Sequence, residues 1–435
     1  MKELFKTIIV TVLEREAELV LKKYKPKIVA VTGSVGKTST KDAIYHVLSQ
    51  RFCVRKSQKS FNSDIGVPLT ILGCPNGWNN PLIWIRNLWK GLWLILWKQS
   101  YPEWLVLEVG ADRPGDIEKV SSWVKPDAVV VTCFGTVPVH VEYFKSVGDL
   151  IKEKSFLVRA LKPSGILILN GDDADTSGMA QIAPESSMKV LYGMNAGVRL
   201  RAEQYAVIYS DTSLGHFPSG ITFHVEHNNQ SSVVSLPGVI GYQHVYPVLA
   251  AVALGSSLGF GMDEMCQSCM TLEHAPGRMR LIPAIKNTYC IDDTYNSSPI
   301  AVNEGLNTLS QIQIKGKKIA VLGDMMELGN FSSDAHFEAG KRVSEVCDML
   351  LTVGLRSRQI AEGALSNGMD EMKIFQYEDS RSAGKELEQY LSSGDIVYIK
   401  GSQSLRMERV VEEIMAEPDR AYELLVRQET AWKKK

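Results

Sequence analysis

A glycine turn carrying one lysine, set between an apolar run and a helix-forming run, constrains this chain more than any other stretch. It reads KIVAVTGSVGKTST, residues 27 to 40, and continues into KDAIYHVLSQ. A short Val/Ile run that ends in glycines and restarts as a helix is the local plan of a parallel sheet with crossover helices. Glycines let consecutive backbone N–H groups curl around phosphate oxygens, and the helix N-terminus adds its dipole. In that setting Lys37 reaches β- and γ-phosphates and the Thr38 hydroxyl ligates Mg²⁺. The loop is two residues shorter than the common G-x-x-x-x-G-K-[ST] pattern. Gly33, Ser34, Gly36, Lys37, Thr38 and Ser39 are its expected nucleotide contacts.

The same rhythm repeats downstream in WLVLEVG, DAVVVTC and GILILNG. A more polar segment, residues 196 to 237, alternates as antiparallel strands do, and the helix-like YPVLAAVALGSSLG follows. Pro276-Gly277 makes a hinge, after which KKIAVLGDM, MLLTVGL and DIVYIKG restart the βα pattern. The expected fold class is α/β. A P-loop mononucleotide-binding central domain with a mostly parallel sheet spans 27–277, and a C-terminal Rossmann-like α/β domain spans 278–435. Residues 1–26 are expected to form an amphipathic helix packed on the first domain. Its apolar run TIIVTVL is short and lacks a small-residue cleavage site, unlike a signal peptide.

Composition removes several function classes. Net charge is −1 and there is no long basic run, so nucleic acid is not an expected partner. Seven scattered cysteines suit a reducing cytoplasm better than a disulfide framework. The one close pair, Cys266 and Cys269, has no second pair to complete a zinc site. No uncharged apolar stretch reaches the ~18 residues of a membrane span.

Further motifs are FNSDIGVPLTIL, LEVGADRPGDI, HVEYFKSVGDLIKEKS, GRM, IDDTYNSSP, VLGDMMELG and KGSQS. Together with TGSVGKTST, and in this order, they resemble the Mur ligases, the ATP-dependent amide-forming enzymes of bacterial wall synthesis. VLGDMMELG and DDTYN point within that family to the branch that adds D-alanyl-D-alanine to a muramoyl tripeptide. The resemblance covers residues 25 to 415. It implies that the γ-phosphate of ATP passes to a substrate carboxylate, and that an amine then displaces it from the acyl phosphate. Such a site must gather two anions and neutralise them.

Glu108 closes the run WLVLE, at the carboxyl edge where α/β sites are built. By resemblance it ligates Mg²⁺, although a turn glutamate would look the same. His140 matches a histidine that ligates a second Mg²⁺, where sequence alone would favour a structural role. Lys154, ordinarily a solvated helix lysine, matches one that is carbamylated by CO₂ into a metal ligand. That chemistry needs a neutral amine, hence a buried lysine. The implied metal ligands are therefore Thr38, Glu108, His140 and Lys154, and the implied catalytic set is Lys37, Glu108, His140 and Lys154. Asn62 and Ser63 match a substrate loop, with Ser63 replacing the usual second asparagine. Arg278 matches a hinge arginine, and Asp293, Tyr295 and Asn296 match residues that approach the nucleotide on closure. His336 matches a downstream histidine.

Four departures stand out. The adenine-side motif is replaced by GYQHVYP at 241 to 247, and Gln403 stands where the family usually has arginine. Only 26 residues precede the first strand, too few for the family's UDP-binding domain. Residues 78–104 hold six of the chain's eight tryptophans where a short connection is expected. Trp89, Trp93 and Trp97 fall on one helical face, with Arg86, Lys90 and Lys98 beside them. Such a helix either packs on the N-terminal helix or a partner protein, or lies in a membrane interface. The expectation is thus a monomeric cytoplasmic ligase that uses ATP and two Mg²⁺ on small-molecule and peptide substrates, with peripheral contact at the inner membrane face as one of the roles open to residues 78–104. Alternatives are an amino-acid or poly-amino-acid ligase of the same superfamily acting on a non-UDP or lipid-linked acceptor, and a nucleotide-binding scaffold that has lost ligation.

Overall fold

The computed structural model describes residues 2–58, 64–78, 80–135, 141–212, 215–429 and 432. Its first sheet contains β1 (Lys27–Thr32), β2 (Val54–Lys56), β3 (Trp104–Glu108), β4 (Ala128–Val131), β5 (Ile166–Asn170), β6 (Met188–Gly193), β7 (Leu200–Thr212), β8 (Gly215–His227) and β9 (Gln230–Pro237). Their order is β2-β3-β1-β4-β5-β6-β7-β8-β9. Pairing is parallel from β2 to β7 and antiparallel across β7-β8-β9. β1 thus lies centrally, between β3 and β4, and its carboxyl end opens a crevice.

Continuous apolar runs are needed because both faces of the sheet are covered. Val29 and Val31 point into one core with Ile44 and Val47 of α2 (Lys37–Leu48) and with the helix Val245–Ser257. Ile28 and Ala30 point the other way, into a core with Leu13 and Ala17 of α1 (Lys2–Tyr24) and with Leu69 and Leu72 of α3 (Gly66–Leu72). The insert forms α4 (Pro81–Leu96), packed on α1 and α3. The Lys23 amine donates to the Leu94 and Ile95 carbonyls, both at 2.9 Å, satisfying the C-terminal end of α4. Two shorter crossover helices follow, α5 (Asp116–Trp123) and α6 (Val147–Arg159).

The second sheet runs β10-β11-β15-β12-β13-β14, with β10 (Arg280–Ala284), β11 (Thr288–Asp293), β12 (Lys318–Gly323), β13 (Met349–Val353), β14 (Ile374–Tyr377) and β15 (Ile396–Lys400). All its pairings are parallel except β10 with β11. Gly277, at φ +69°, turns the chain between the sheets, and its N–H donates to Asp292 at 3.0 Å. Among the described residues no helix is long and apolar enough to cross a membrane.

Where α1 crosses α4, Glu16 lies against Gly91, and one of its carboxylate oxygens is buried without a hydrogen-bond partner among the described residues. Burial pushes this carboxyl up to about 7 from 4.5. The folded chain therefore keeps a proton that the unfolded chain releases. This contribution is fully present below pH 4.5 and is lost as pH rises through about 7. Glu16→Gln is expected to raise the first melting transition by a few degrees at pH 8 and to leave it nearly unchanged at pH 4. Calorimetry of both proteins at the two pH values checks this.

Candidate active site

At the end of β1 the chain turns through Gly33 (φ +137°) and Gly36 (φ +84°), conformations that side chains resist. A Cβ on Gly33 would also sit 2.0 Å from Thr132 Oγ1. The Ser34 and Val35 N–H groups donate to the Cys133 carbonyl at 2.7 and 3.3 Å, which holds the loop to the chain leaving β4. No side chain among the described residues caps the N-terminus of α2, so its first N–H groups face the loop uncapped. That is the electrostatic requirement for receiving a phosphate.

Lys37 folds back over the loop, its amine 2.9 Å from the Gly33 carbonyl and 3.1 Å from that of Ser34. Lys154 rises from α6 beneath the same loop and donates to the Gly33 carbonyl at 3.0 Å. It is 2% exposed. Burial lowers the Lys37 amine from its ordinary value, opposed in part by Glu108. Burial, and then the neighbouring Lys37 charge, push the Lys154 amine well below its own. Glu108 ends β3, in register with Val31 of β1. Its Oε1 accepts from the Thr38 hydroxyl at 3.2 Å, and its Oε2 accepts no hydrogen bond among the described residues. Lys41, 1% exposed and one turn beyond Lys37, lies 3.7 Å from that Oε2.

The second domain contributes from the facing side. The Arg278 guanidinium stacks 4.1 Å above the Tyr295 ring, and its buried Nε has no hydrogen-bond partner among the described residues. Asp293 pairs with Lys400 at 2.6 Å, and the Lys400 amine also reaches the Asn296 carbonyl at 2.9 Å. Asp293 and Lys400 are partners in the β11–β15 register, so the pairing is set by the sheet. Arg427 donates to the Thr294 carbonyl at 3.1 Å and to that of Tyr295, and is anchored by Glu408 at 2.7 Å. Ser298 caps the helix Pro299–Gln311 by accepting from the Ala301 N–H.

Together these surfaces enclose a cleft of about 2060 Å³ lined by Lys37, Thr38, Glu108, Arg278, Asp293 and Tyr295, among others. Ser34, Gly36, Ser39, Asn296 and Gln403 also line it. Of the GYQHVYP segment, Gln243, His244 and Tyr246 reach the wall. His244 is held 3.0 Å from the Arg278 carbonyl, and burial keeps its ring well below its ordinary pKa, hence neutral. His336 is fully buried and serves the VLGDMMELG loop, accepting the Met325 N–H at 2.9 Å. His140, Asn62 and Ser63 lie outside the described residues.

Thr38 and Glu108 offer hard oxygens at the phosphate end of the cleft, one of them without a hydrogen bond, and such a donor set suits Mg²⁺. Among the described residues no three His, Cys, Asp or Glu side chains gather closely enough to hold a metal by themselves. Sequence reasoning did not single out Lys41, Lys400 or Arg427. Lys41 follows Lys37 by four residues, which places both on one face of α2. Lys400 closes DIVYIK as Glu108 closes WLVLE, and that strand-end position was an available signal.

Lys400→Met would leave the Asp293 carboxylate buried beside Tyr398 without its cation, at a cost of about 3–5 kcal/mol. Adding Asp293→Asn should recover part of that loss, because a neutral amide needs no counter-charge. Chemical denaturation of the two variants and the parent chain measures the coupling.

Residues 31–84 and 91–255 match the Mur ligase middle domain, and residues 277–403 match the Mur ligase glutamate ligase domain. The break in the first match falls inside α4. UDP-N-acetylmuramoyl-tripeptide–D-alanyl-D-alanine ligase of Bacillus subtilis is 28% identical over 409 residues, covering 94% of this chain and 80% of its own. The enzyme of that name from Escherichia coli is 27% identical over 390 residues, covering 88% and 76%. The MurF ligase of Thermotoga maritima, solved in complex with ADP, superposes with a TM-score of 0.74 at 25% identity, over 93% of this chain and 83% of that one.

Proposed function

Because the chain belongs to the Mur ligase family, we propose that it is an ATP-dependent amide ligase that joins D-alanyl-D-alanine to the carboxylate of a peptidoglycan-precursor peptide. The observation that carries this reading is the contact of the Thr38 hydroxyl with the Glu108 carboxylate at the start of α2, beside Lys37. The Bacillus subtilis and Escherichia coli relatives bear the name of that reaction, and the Thermotoga maritima structure holds ADP. A cytoplasmic setting accords with seven cysteines that are all free thiols. The enzyme is proposed to act as a monomer.

In this reading the loop of Gly33, Ser34, Gly36, Lys37, Thr38 and Ser39 binds the polyphosphate through the N–H groups at the start of α2 and the Ser34 hydroxyl, which has no hydrogen-bond partner among the described residues, and the Lys37 ammonium moves from the loop carbonyls to the β- and γ-phosphates. Mg²⁺ held by Thr38 and Glu108, with His140 and a carbamylated Lys154 serving two sites, would neutralise phosphate charge and polarise the γ-phosphoryl group. Burial lowers the Lys154 amine well below its ordinary value, in the direction of the neutral form that carbamylation requires. Asn62 and Ser63 contact the carboxylate substrate. Its oxygen attacks the γ-phosphorus, ADP leaves, and the amine then displaces phosphate from the acyl phosphate. Arg278, Asp293, Tyr295 and Asn296 approach the nucleotide from the second domain, where Arg278 offers a cation to the charge that develops on transfer.

Phosphate release from ATP and Mg²⁺ with D-alanyl-D-alanine tests the proposal, using UDP-N-acetylmuramoyl-tripeptide, the same muropeptide without UDP, or no acceptor. Turnover that needs an acceptor is expected. Silence with both acceptors would overturn the substrate assignment. Glu108→Gln is expected to lower turnover by about 10²-fold or more while the protein remains folded. Supply of ¹³C-labelled bicarbonate should give a carbamate resonance that is lost in Lys154→Arg.

A further inference from the structure

α4 is apolar on both sides. Its protein-facing side packs Trp84, Leu88, Leu94 and Ile95 on the core, with the buried Asn87 and Gly91 between them. Asn87 donates to the Pro75 carbonyl at 2.8 Å, and Gly91 is the place where the Glu16 carboxyl rests. The opposite side, facing solvent, is a stripe of Leu82, Ile85, Trp89, Trp93, Leu96 and Trp97, all exposed. Leu82 is 73% exposed, Trp89 67% and Trp93 50%. The Trp93 and Trp97 rings stack on each other at 4.2 Å. A soluble amphipathic helix turns such a stripe to the core, and a contiguous exposed one marks an interaction surface.

Charge identifies what fits this stripe. Arg86, Lys90 and Lys98 flank it, and no Asp or Glu occurs from residue 65 to 102. A second copy docked face to face would set these cations against one another with no carboxylate on the helix to neutralise them. An anionic phospholipid surface supplies that negative charge together with an apolar layer at the depth where tryptophan rings settle. The helix is 16 residues long, which suits lying in the interface and not crossing it.

We propose that the outer face of α4 seats this protein on an anionic phospholipid bilayer, with the helix parallel to the membrane plane. The seat lies beside the cleft. The Trp84 indole N–H donates to the Trp78 carbonyl at 3.0 Å, and Trp78 and Asn76 line the cleft wall. The docked cleft therefore opens next to the headgroups. The docking itself is independent of the reaction assigned to the site.

Flotation of the full chain with vesicles of phosphatidylglycerol and phosphatidylcholine, or of phosphatidylcholine alone, tests this. Expected are co-flotation with the anionic vesicles only, a blue shift of tryptophan emission, and weakening at high salt. Trp89→Ser with Trp93→Ser should reduce binding by about tenfold or more with an unchanged melting curve, and Arg86→Gln with Lys98→Gln should reduce it as well. Failure to float with anionic vesicles would overturn the proposal, as would equal binding to both vesicle types or undiminished binding of the tryptophan variant. A dimer by light scattering that the tryptophan substitutions dissociate would assign the face to a second copy instead.

Discussion

Three amines crowded into too little water are the constraint on which the rest of the site depends. Lys37, Lys41 and Lys154 are drawn around one glycine turn, and Glu108 is the carboxylate buried among them. Two of the three amines rest on carbonyl oxygens of the turn itself, and burial lowers both from their ordinary values. Arg278 adds a cation from the facing domain. Such an arrangement is least strained when a polyanion occupies it, because a phosphate chain answers several cations at once. The parallel sheet makes the arrangement possible by delivering β1, β3 and α2 to one edge.

Much of this was legible in the sequence, for identifiable reasons. The fold class followed from Val/Ile runs ended by glycines, since a strand covered on both faces cannot alternate. Glu108 was legible because it sits at the last position of such a run, where side chains reach the crevice. Lys41 was not, because an extra lysine on a helix reads as solvated until the opposite wall is known. Lys400 closes a run as Glu108 does, but its pairing was hidden. Its partner Asp293 is more than a hundred residues away, and only the β11–β15 register brings them together.

α4 shows the same limit more sharply. Tryptophans at helical spacing announce a face but not a direction. The direction is decided on the other side, where Leu88, Leu94 and Ile95 pack on the core and Asn87 and Gly91 make room for the Pro75 carbonyl and the Glu16 carboxyl. The family match also lapses within this helix, over residues 85–90. The departure in GYQHVYP has a local role, its His244 ring buttressing the Arg278 carbonyl.

The turn between the two sheets is bonded on both of its sides. Toward the second sheet, Gly277 is clasped by Asp292, whose other oxygen accepts from the Thr294 hydroxyl at 2.6 Å. Toward the first, the Ile240 N–H donates to the Met279 carbonyl at 3.1 Å and the Leu281 N–H to that of Gly238 at 2.9 Å. A joint stitched along a line behaves as the spine of a book and not as a ball in a socket. In a joint of that kind, positions beside the spine, Arg278 among them, keep their distance from both covers, and positions further from it travel more. Positions that need constant geometry therefore belong next to the binding, and positions that must admit and release a substrate belong at the margin.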